Sequence, residues 1–258
     1  MATIIHPTAI IHQQAIIEDG CEIGPYCVIG QGVRLLPGCK LLSHIVVEGP
    51  TTIGRNNIFH PFCSIGGRSQ DLKYTTEPTY LEIGDNNCFR EACTVNRATA
   101  PGGTTRVGSH NNFLAYCHIA HDCTVGDHCI FSNNATLAGH VTVEDHVVIG
   151  GLTAVHQFCR LGRMAMLGGC AKIVQDVAPY TIADGNPAAA RALNTVGLDR
   201  NHVSQTSREA LLAAFKLLYK SGLNTTQALE KILALDPCPP EVQHLADFVR
   251  SSQRGIIK

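Results

Sequence analysis

The sequence predicts an all-β solenoid, a parallel β-helix wound from six-residue repeats, followed by a small α-helical domain. Three observations carry this expectation. A six-residue hydrophobic period runs through two thirds of the chain, a second register two places earlier takes small side chains, and the pattern turns helical after Pro179. Period six with one large and one small inward residue is the signature of a parallel β-helix. Each hexapeptide supplies a short strand and a turn, and three of them close a triangular coil.

The large register starts at Ile5 and takes every sixth residue: Ile11, Ile17, Ile23, Ile29, Leu35, Leu41, Val47, Ile53, Phe59, Ile65. It resumes at Ile83, Phe89 and Val95, and from Val107 continues through Phe113, Ile119, Val125, Phe131, Leu137 and Val143 to Ile173. Of 29 positions in this phase 26 are aliphatic or Phe, the exceptions being Asp71, Glu77 and Pro101. Those exceptions mark excursions at 66–82 and about 96–106, which return in phase and so replace whole hexapeptides. Polar loops on a rigid scaffold are where function concentrates. The small register holds Ala9, Ala15 and nine of the twelve cysteines, which read as reduced corner fillers rather than metal ligands or disulfides. Gly24, Gly30, Gly54, Gly84, Gly108, Gly126, Gly150 and Gly162 follow the large residue, where a tight turn is expected to need their freedom.

The coil is expected over residues 1–190 and a helical domain over 191–258. Within the latter, TSREALLAAFKLLYKSG reads as an amphipathic helix with a capping box at Thr206 and Glu209 and a stop at Gly222, with two shorter helices near 225–235 and 240–251. The composition excludes several classes of function. Net charge is −1 with no basic block, which argues against nucleic acid or an anionic membrane as partner. No apolar run long enough to span a bilayer occurs, and the N-terminal stretch lacks the pattern of a secretory signal, so a cytoplasmic location is expected.

A coil of three hexapeptides stacks residue i beneath i+18, about 4.8 Å away. His121 then lies beneath Gly139 and Asp122 beneath His140. A base, a carboxylate to orient it, a backbone N–H and a second histidine share one patch, and acyl transfer to a hydroxyl uses such parts. Imidazole suits the base because it titrates near neutrality. The column His110, His128, His146 reads instead as a solvated or subunit-edge ladder, with metal binding the lesser alternative, and His6, His12 and His44 as surface residues.

The strings HIAHDCTVG at 118–126, NNATLAGHV at 133–141, GGLTAVHQFC at 150–159 and QDLKY at 70–74 resemble the UDP-N-acetylglucosamine acyltransferases, and the similarity spans essentially the whole chain. The resemblance implies that the coil is left-handed, against the usual crossover preference. It further implies a homotrimer with sites between subunits, which moves a fatty acyl chain from acyl carrier protein to the sugar 3-hydroxyl in the first step of lipid A biosynthesis. It makes His121 the general base, Asp122 its partner and the Gly139 N–H the oxyanion donor. Gln70, Asp71 and Lys73 would meet the sugar or the acyl donor, His118, His140, His156 and Gln157 would line the sugar and acyl pocket, and Asn194 and Arg200 would hold the nucleotide end. Val196 and Asn201 stand where many members carry an acidic residue and a second Arg. Gly169 leaves room along the acyl path, which implies a medium-to-long chain. No cofactor beyond the carrier-linked donor and no metal are implied. Two alternatives stay open: N-acyl transfer to a related UDP-amino-sugar, and a β-helical zinc carbonic anhydrase using HxxH at 118–121.

Overall fold

A computed structural model describes residues 2–258. Its strands, mostly two residues long, stack into three sheets of 11, 9 and 8 strands that form the faces of a left-handed parallel β-helix. Successive strands go to successive sheets. Ile5 therefore lies beside Ile23, Ile11 beside Ile29 and Ile17 beside Leu35, one 18-residue coil per turn of the solenoid. The large register fills the interior, with Ile29, Leu41, Val47, Ile53 and Phe59 at most 1% exposed. Phe59, Phe89 and Phe113 stack with centroids 4.8 and 4.6 Å apart, and Phe131 closes the column edge-on.

Both excursions keep the register. The spacing between stacked residues widens from 18 (Leu41 beside Phe59) to 30 (Phe59 beside Phe89), narrows to 24 (Phe89 beside Phe113), and returns to 18 (Phe113 beside Phe131). The first excursion thus inserts two hexapeptides and the second one. Their cores are shorter than the sequence suggests, because the strands Ser64–Gly67 and Tyr80–Ile83 reach into the first and Thr94–Asn96 and Thr104–Val107 into the second.

Two details correct the sequence reading. Gly24, Gly54, Gly108, Gly126 and their equivalents are not the residues with positive φ. That conformation falls two places later, on Tyr26, Asn56, His110 and His128 among others. The glycines are required because the next coil passes so close: a Cβ on Gly54 would sit 2.5 Å from the carbonyl oxygen of Gly84, and one on Gly108 2.7 Å from that of Gly126. The small register, likewise, does more than fill corners. The thiols of Cys39, Cys93, Cys117 and Cys123 donate to carbonyls of the following coil (Gly54, Leu114, Ser132 and Ala138) at 3.0–3.2 Å. Asn57, Asn87 and Asn111 occupy the same register, fully buried, and bond into a ladder. Asn87 Nδ2 donates to Asn57 Oδ1 at 2.9 Å, the Asn111 N–H to Asn87 Oδ1 at 2.9 Å, and Asn111 Nδ2 to the Gly126 carbonyl at 3.0 Å. A corner carbonyl turned inward must find a donor, and these side chains share a hydrogen to give. Burial pushes the thiols of Cys39, Cys123 and Cys129 up to about 12, so they stay neutral.

The coil ends in an antiparallel hairpin, Thr181–Gly185 with Ala188–Leu193, absent from the sequence reading. A short helix α1 (Thr195–Arg200) follows, then α2 (Gln205–Tyr219), α3 (Thr225–Leu233) and α4 (Pro240–Arg250). Helix α2 is capped by Ser204, whose hydroxyl accepts from the Ser207 N–H at 3.1 Å, and not by the expected box at Thr206 and Glu209. The helices bury Leu211, Ala214, Leu218, Ile232, Leu245 and Ala246 in a second core that also takes Met164, Ala178 and Tyr180 from the end of the coil. No helix among the described residues is long and apolar enough to cross a membrane.

Candidate active site

The strand His118–Ile119 pairs with Thr136–Leu137, and this register carries the turn at His121 and Asp122 beneath Gly139 and His140. The stacking is close, since the His140 N–H donates to the His121 carbonyl at 3.1 Å. Asp122 takes the left-handed conformation that each turn demands of one residue, and this aims its carboxylate back at the preceding ring. His121 Nδ1 lies 2.7 Å from Asp122 Oδ2. A carboxylate can only accept, so Nδ1 carries the hydrogen and Nε2 presents its lone pair. Both side chains are mostly covered, 12% and 13% exposed.

Asp122 is held on all sides. The Thr99 N–H, from the second excursion, donates to both carboxylate oxygens at 3.2 and 3.1 Å, and the Asp122 N–H donates to Thr105 Oγ1 at 2.8 Å. Burial opposes the charge, but the bonds from His121 and Thr99 outweigh it and keep the carboxyl below its ordinary value. Gly139 faces the other side of the base. A Cβ there would lie 2.6 Å from His121 Nε2, so glycine is the residue that lets backbone and imidazole approach. The Gly139 carbonyl accepts from Phe158, while none of the hydrogen bonds among the described residues uses the Gly139 N–H.

The neighbouring rings complete the patch. His140 stacks on Phe158 at 4.7 Å and meets His121 edge-on at 5.3 Å, with its Nε2 3.7 Å from Asp122 Oδ2. His118 Nδ1 lies 2.7 Å from Thr94 Oγ1, and burial, with the nearby His121, pushes its ring below the ordinary value. His121, Asp122 and His140 each bring an atom within 4.8 Å of the others, the one such cluster among the described residues. The oxygens of Asp122 are already taken by Thr99 and His121, so the cluster is organised as a hydrogen-bonded pair beside a third ring. The ladder His110, His128, His146 is a face-to-face stack with centroids 4.9 Å apart.

The other expected residues fall in separate places within one chain. Gln70 and Asp71 line a groove of about 540 Å³ with Gly67, Arg68 and Tyr74; Lys73 is exposed and not part of the lining, its N–H donating to Asp71 Oδ1 at 2.8 Å. Asn194 and Arg200 line a second groove, of about 430 Å³, with His128, His146 and Val196. There the Asn194 side chain is committed locally: its oxygen caps α1 at the Gly197 N–H and its nitrogen donates to the Met164 carbonyl. His140 and Phe158 open onto a third groove, of about 680 Å³, that ends at Arg254. His156 and Gln157 are exposed at the same corner, and beside Gly169 an added Cβ would meet nothing nearer than the Gly151 carbonyl at 3.4 Å.

Comparison with known proteins gives this geometry a context. The family described as "Udp N-acetylglucosamine O-acyltransferase; Domain 2" matches residues 176–257, and the bacterial transferase hexapeptide family matches 2–37 and 104–139. The solved UDP-N-acetylglucosamine O-acyltransferase (LpxA) of Moraxella catarrhalis is 45% identical, covering 98% of this chain and 99% of its own, with a TM-score of 0.95. The chain belongs to the UDP-N-acetylglucosamine O-acyltransferase family. LpxA of Acinetobacter baumannii, at 47% identity, covers 99% of this chain and 100% of its own with a TM-score of 0.96. The enzyme of Arabidopsis still reaches 35% identity and 0.89 with 99% and 100% covered. Family membership therefore extends over the coil, both excursions and the helices together.

Sequence reasoning missed several residues that hold this patch together: Thr94 on His118, Thr99 and Thr105 on Asp122, and Phe158 stacked above His140. Thr94 is 24 residues from its partner and Thr99 is 23 from Asp122. Simple 18-residue stacking does not connect such pairs. The offset across the second excursion would have been needed to find Thr94 and Thr99, whereas Phe158 stands a plain 18 residues beyond His140 and Thr105 is 17 before Asp122.

Proposed function

We propose that the protein transfers a fatty acyl chain, 3-hydroxylated in its natural donor, from acyl carrier protein to the 3-hydroxyl of UDP-N-acetylglucosamine, the first step of lipid A biosynthesis. The observation that carries this reading is the His121–Asp122 pair with its free Nε2 set against the unengaged Gly139 N–H, in a chain of this family. His121 Nε2 removes the hydroxyl proton as the sugar oxygen attacks the thioester carbon. The carbonyl oxygen gains the negative charge and is met by the Gly139 N–H. When the C–S bond breaks, the imidazolium gives its proton to the departing thiolate, which leaves as the thiol. Asp122, charged and fixed, steadies the imidazolium and holds the reactive tautomer.

His118, His140, His156 and Gln157 line the sugar and acyl path. Gln70, Asp71 and Lys73 act on the sugar or donor, and Asn194 and Arg200 on the nucleotide, Arg200 by charge to phosphate. On the family resemblance we read the enzyme as a homotrimer acting in the cytoplasm, with each site between subunits, an arrangement that would let grooves separate in one chain serve one site. Gly169 leaves space for a medium-to-long chain.

The test is acyl transfer from a panel of acyl carrier protein thioesters to UDP-N-acetylglucosamine, for wild type and His121→Ala. A loss of roughly a hundredfold or more is expected for removal of a general base. Near-normal turnover in the variant would remove His121 from that role. Turnover fastest with a very short acyl donor would sink the chain-length reading.

A further inference from the structure

The two excursions meet directly behind the catalytic pair. Ile65 lies beside Val95, the register slips by one at Gly67 beside Asn96, and beyond this irregularity Ser69, only 4% exposed, meets Thr99 with their hydroxyl oxygens 2.6 Å apart. Ser69 Oγ also accepts from the Asp71 N–H at 3.2 Å, so its own hydrogen is available to Thr99 Oγ1. Thr99 in turn gives its N–H to Asp122, and Asp122 accepts from His121. A continuous run of hydrogen bonds therefore leads from the backbone of Asp71, in the first excursion, to the ring of His121 four contacts away.

We propose that Ser69 is a positioning residue for the base, acting through Thr99 and Asp122, so that seating of the first excursion sets the catalytic carboxylate. This rests on the reading of His121 as general base. The physical case is that Asp122 sits on a turn, and its two oxygens are fixed from outside the coil only by the Thr99 N–H. Thr99 belongs to a loop, whose own position depends on what it touches. Asn96 and Arg97 also bond across to Arg68, Gly67 and Gly66, but the buried hydroxyl of Ser69 is the side-chain contact made to Thr99 itself. An orienting group acts on rate by holding the base in the reactive geometry, where small displacements are costly. His118 and His140 are the other titratable groups against the pair, from the coil's own face and the turn above, and neither hydrogen-bonds to Ser69.

The experiment compares Ser69→Ala, Ser69→Thr, Thr99→Val and the Ser69→Ala/Thr99→Val double variant, measuring kcat, the pH profile of kcat/KM and thermal unfolding. For Ser69→Ala we expect kcat to fall roughly fivefold, the scale of one hydrogen bond. The acid limb should move to lower pH, because a carboxylate free to swing away no longer favours the protonated ring. Ser69→Thr, which keeps the hydroxyl, should restore the limb, and the double variant should be no worse than either single one. An unmoved limb, or additive losses, would overturn the proposal even if unfolding temperature drops, since that pattern describes a loop brace alone. Thr99→Val removes the same bridge from the other side and carries the test if Ser69→Ala does not fold. The two readings fail distinguishably: an active His121→Ala removes the base, whereas an inactive His121→Ala with an unmoved Ser69→Ala limb removes only the Ser69 link.

Discussion

Replacing Gly139 with alanine adds a single methyl group, and the structure states where it would go. The new Cβ would lie 2.6 Å from His121 Nε2 and 3.0 Å from Nδ1, with Cε1 closer still, whereas ordinary contact begins at 3.4 Å. The backbone at 139 does not adopt positive φ, so alanine carries no conformational penalty there. The strain falls on the ring. His121 must withdraw by close to an ångström, yet its Nδ1 is tied to Asp122 at 2.7 Å and its carbonyl to the His140 N–H. A displacement of that size in a reacting group costs on the order of a hundredfold in rate. Steady-state transfer from acyl carrier protein thioesters measures it, with thermal unfolding alongside to show that the coil survives. We predict kcat down about a hundredfold and an unfolding temperature little changed, since the methyl group meets a movable side chain rather than the next strand. Activity within a few-fold of wild type would refute the argument. It would mean that the ring can leave this place without consequence, and so that Nε2 is not the base.

Other perturbations test other parts of the reasoning. Asp122→Asn keeps the shape but not the charge, and kcat should fall about a hundredfold or more in the same assay. The carboxyl of Asp122 is held below its ordinary value, so its stabilising contribution is complete above the unfolded value of about 4 and is lost as pH falls through the lower folded value. The acid side of a plot of unfolding temperature against pH should therefore be shallower in Asp122→Asn than in wild type, and parallel curves would argue against the pairing. Phe89→Ala removes the middle ring of the interior stack and should cost about 3–5 kcal/mol in denaturant unfolding. A loss below about 1 kcal/mol would show that the column does not carry the core.

The coil was legible in the sequence because each inward residue meets the same environment in every turn. Thus Ile23, Leu41, Phe59 and Phe131 repeat one constraint, and repetition is what a single sequence displays best. The excursions were legible as breaks in that repetition. The patch at His121, Asp122 and Gly139 followed from the same arithmetic, because all three lie beyond the second excursion where the offset is a plain 18 residues. Contacts that cross an excursion were not legible. Two broken positions in the first excursion and one in the second match the hexapeptides inserted, but Ser69 with Thr99 and Thr99 with Asp122 depend on how each loop runs between its ends, which the breaks do not state. The donors to inward carbonyls escaped for another reason. The cysteines read as small fillers and the asparagines of the same register drew no notice, yet the property shared at Cys39, Asn57, Asn87 and Cys93 is a hydrogen aimed at a corner. The helix starts two residues earlier than the Thr206 box implies, capped by Ser204, because the chain's path after α1 sets where it begins.

The in-phase excursions also give this molecule something like a spatial reading frame with a six-letter word. Twelve extra residues before Phe89 and six before Phe113 leave every later side chain on its own face. An insertion of one residue would act as a frameshift: with strand side chains alternating from face to face, Phe113 and Phe131 would exchange places with Asn112 and Ile130. Such a slip is harmless only where the chain absorbs it at once, as in the irregularity at Gly67, or where it spares the alternation of faces, as in the 16-residue step from Leu167 to Ala183. The two long loops, which present Asp71 and Thr99, avoid the problem by adding whole words.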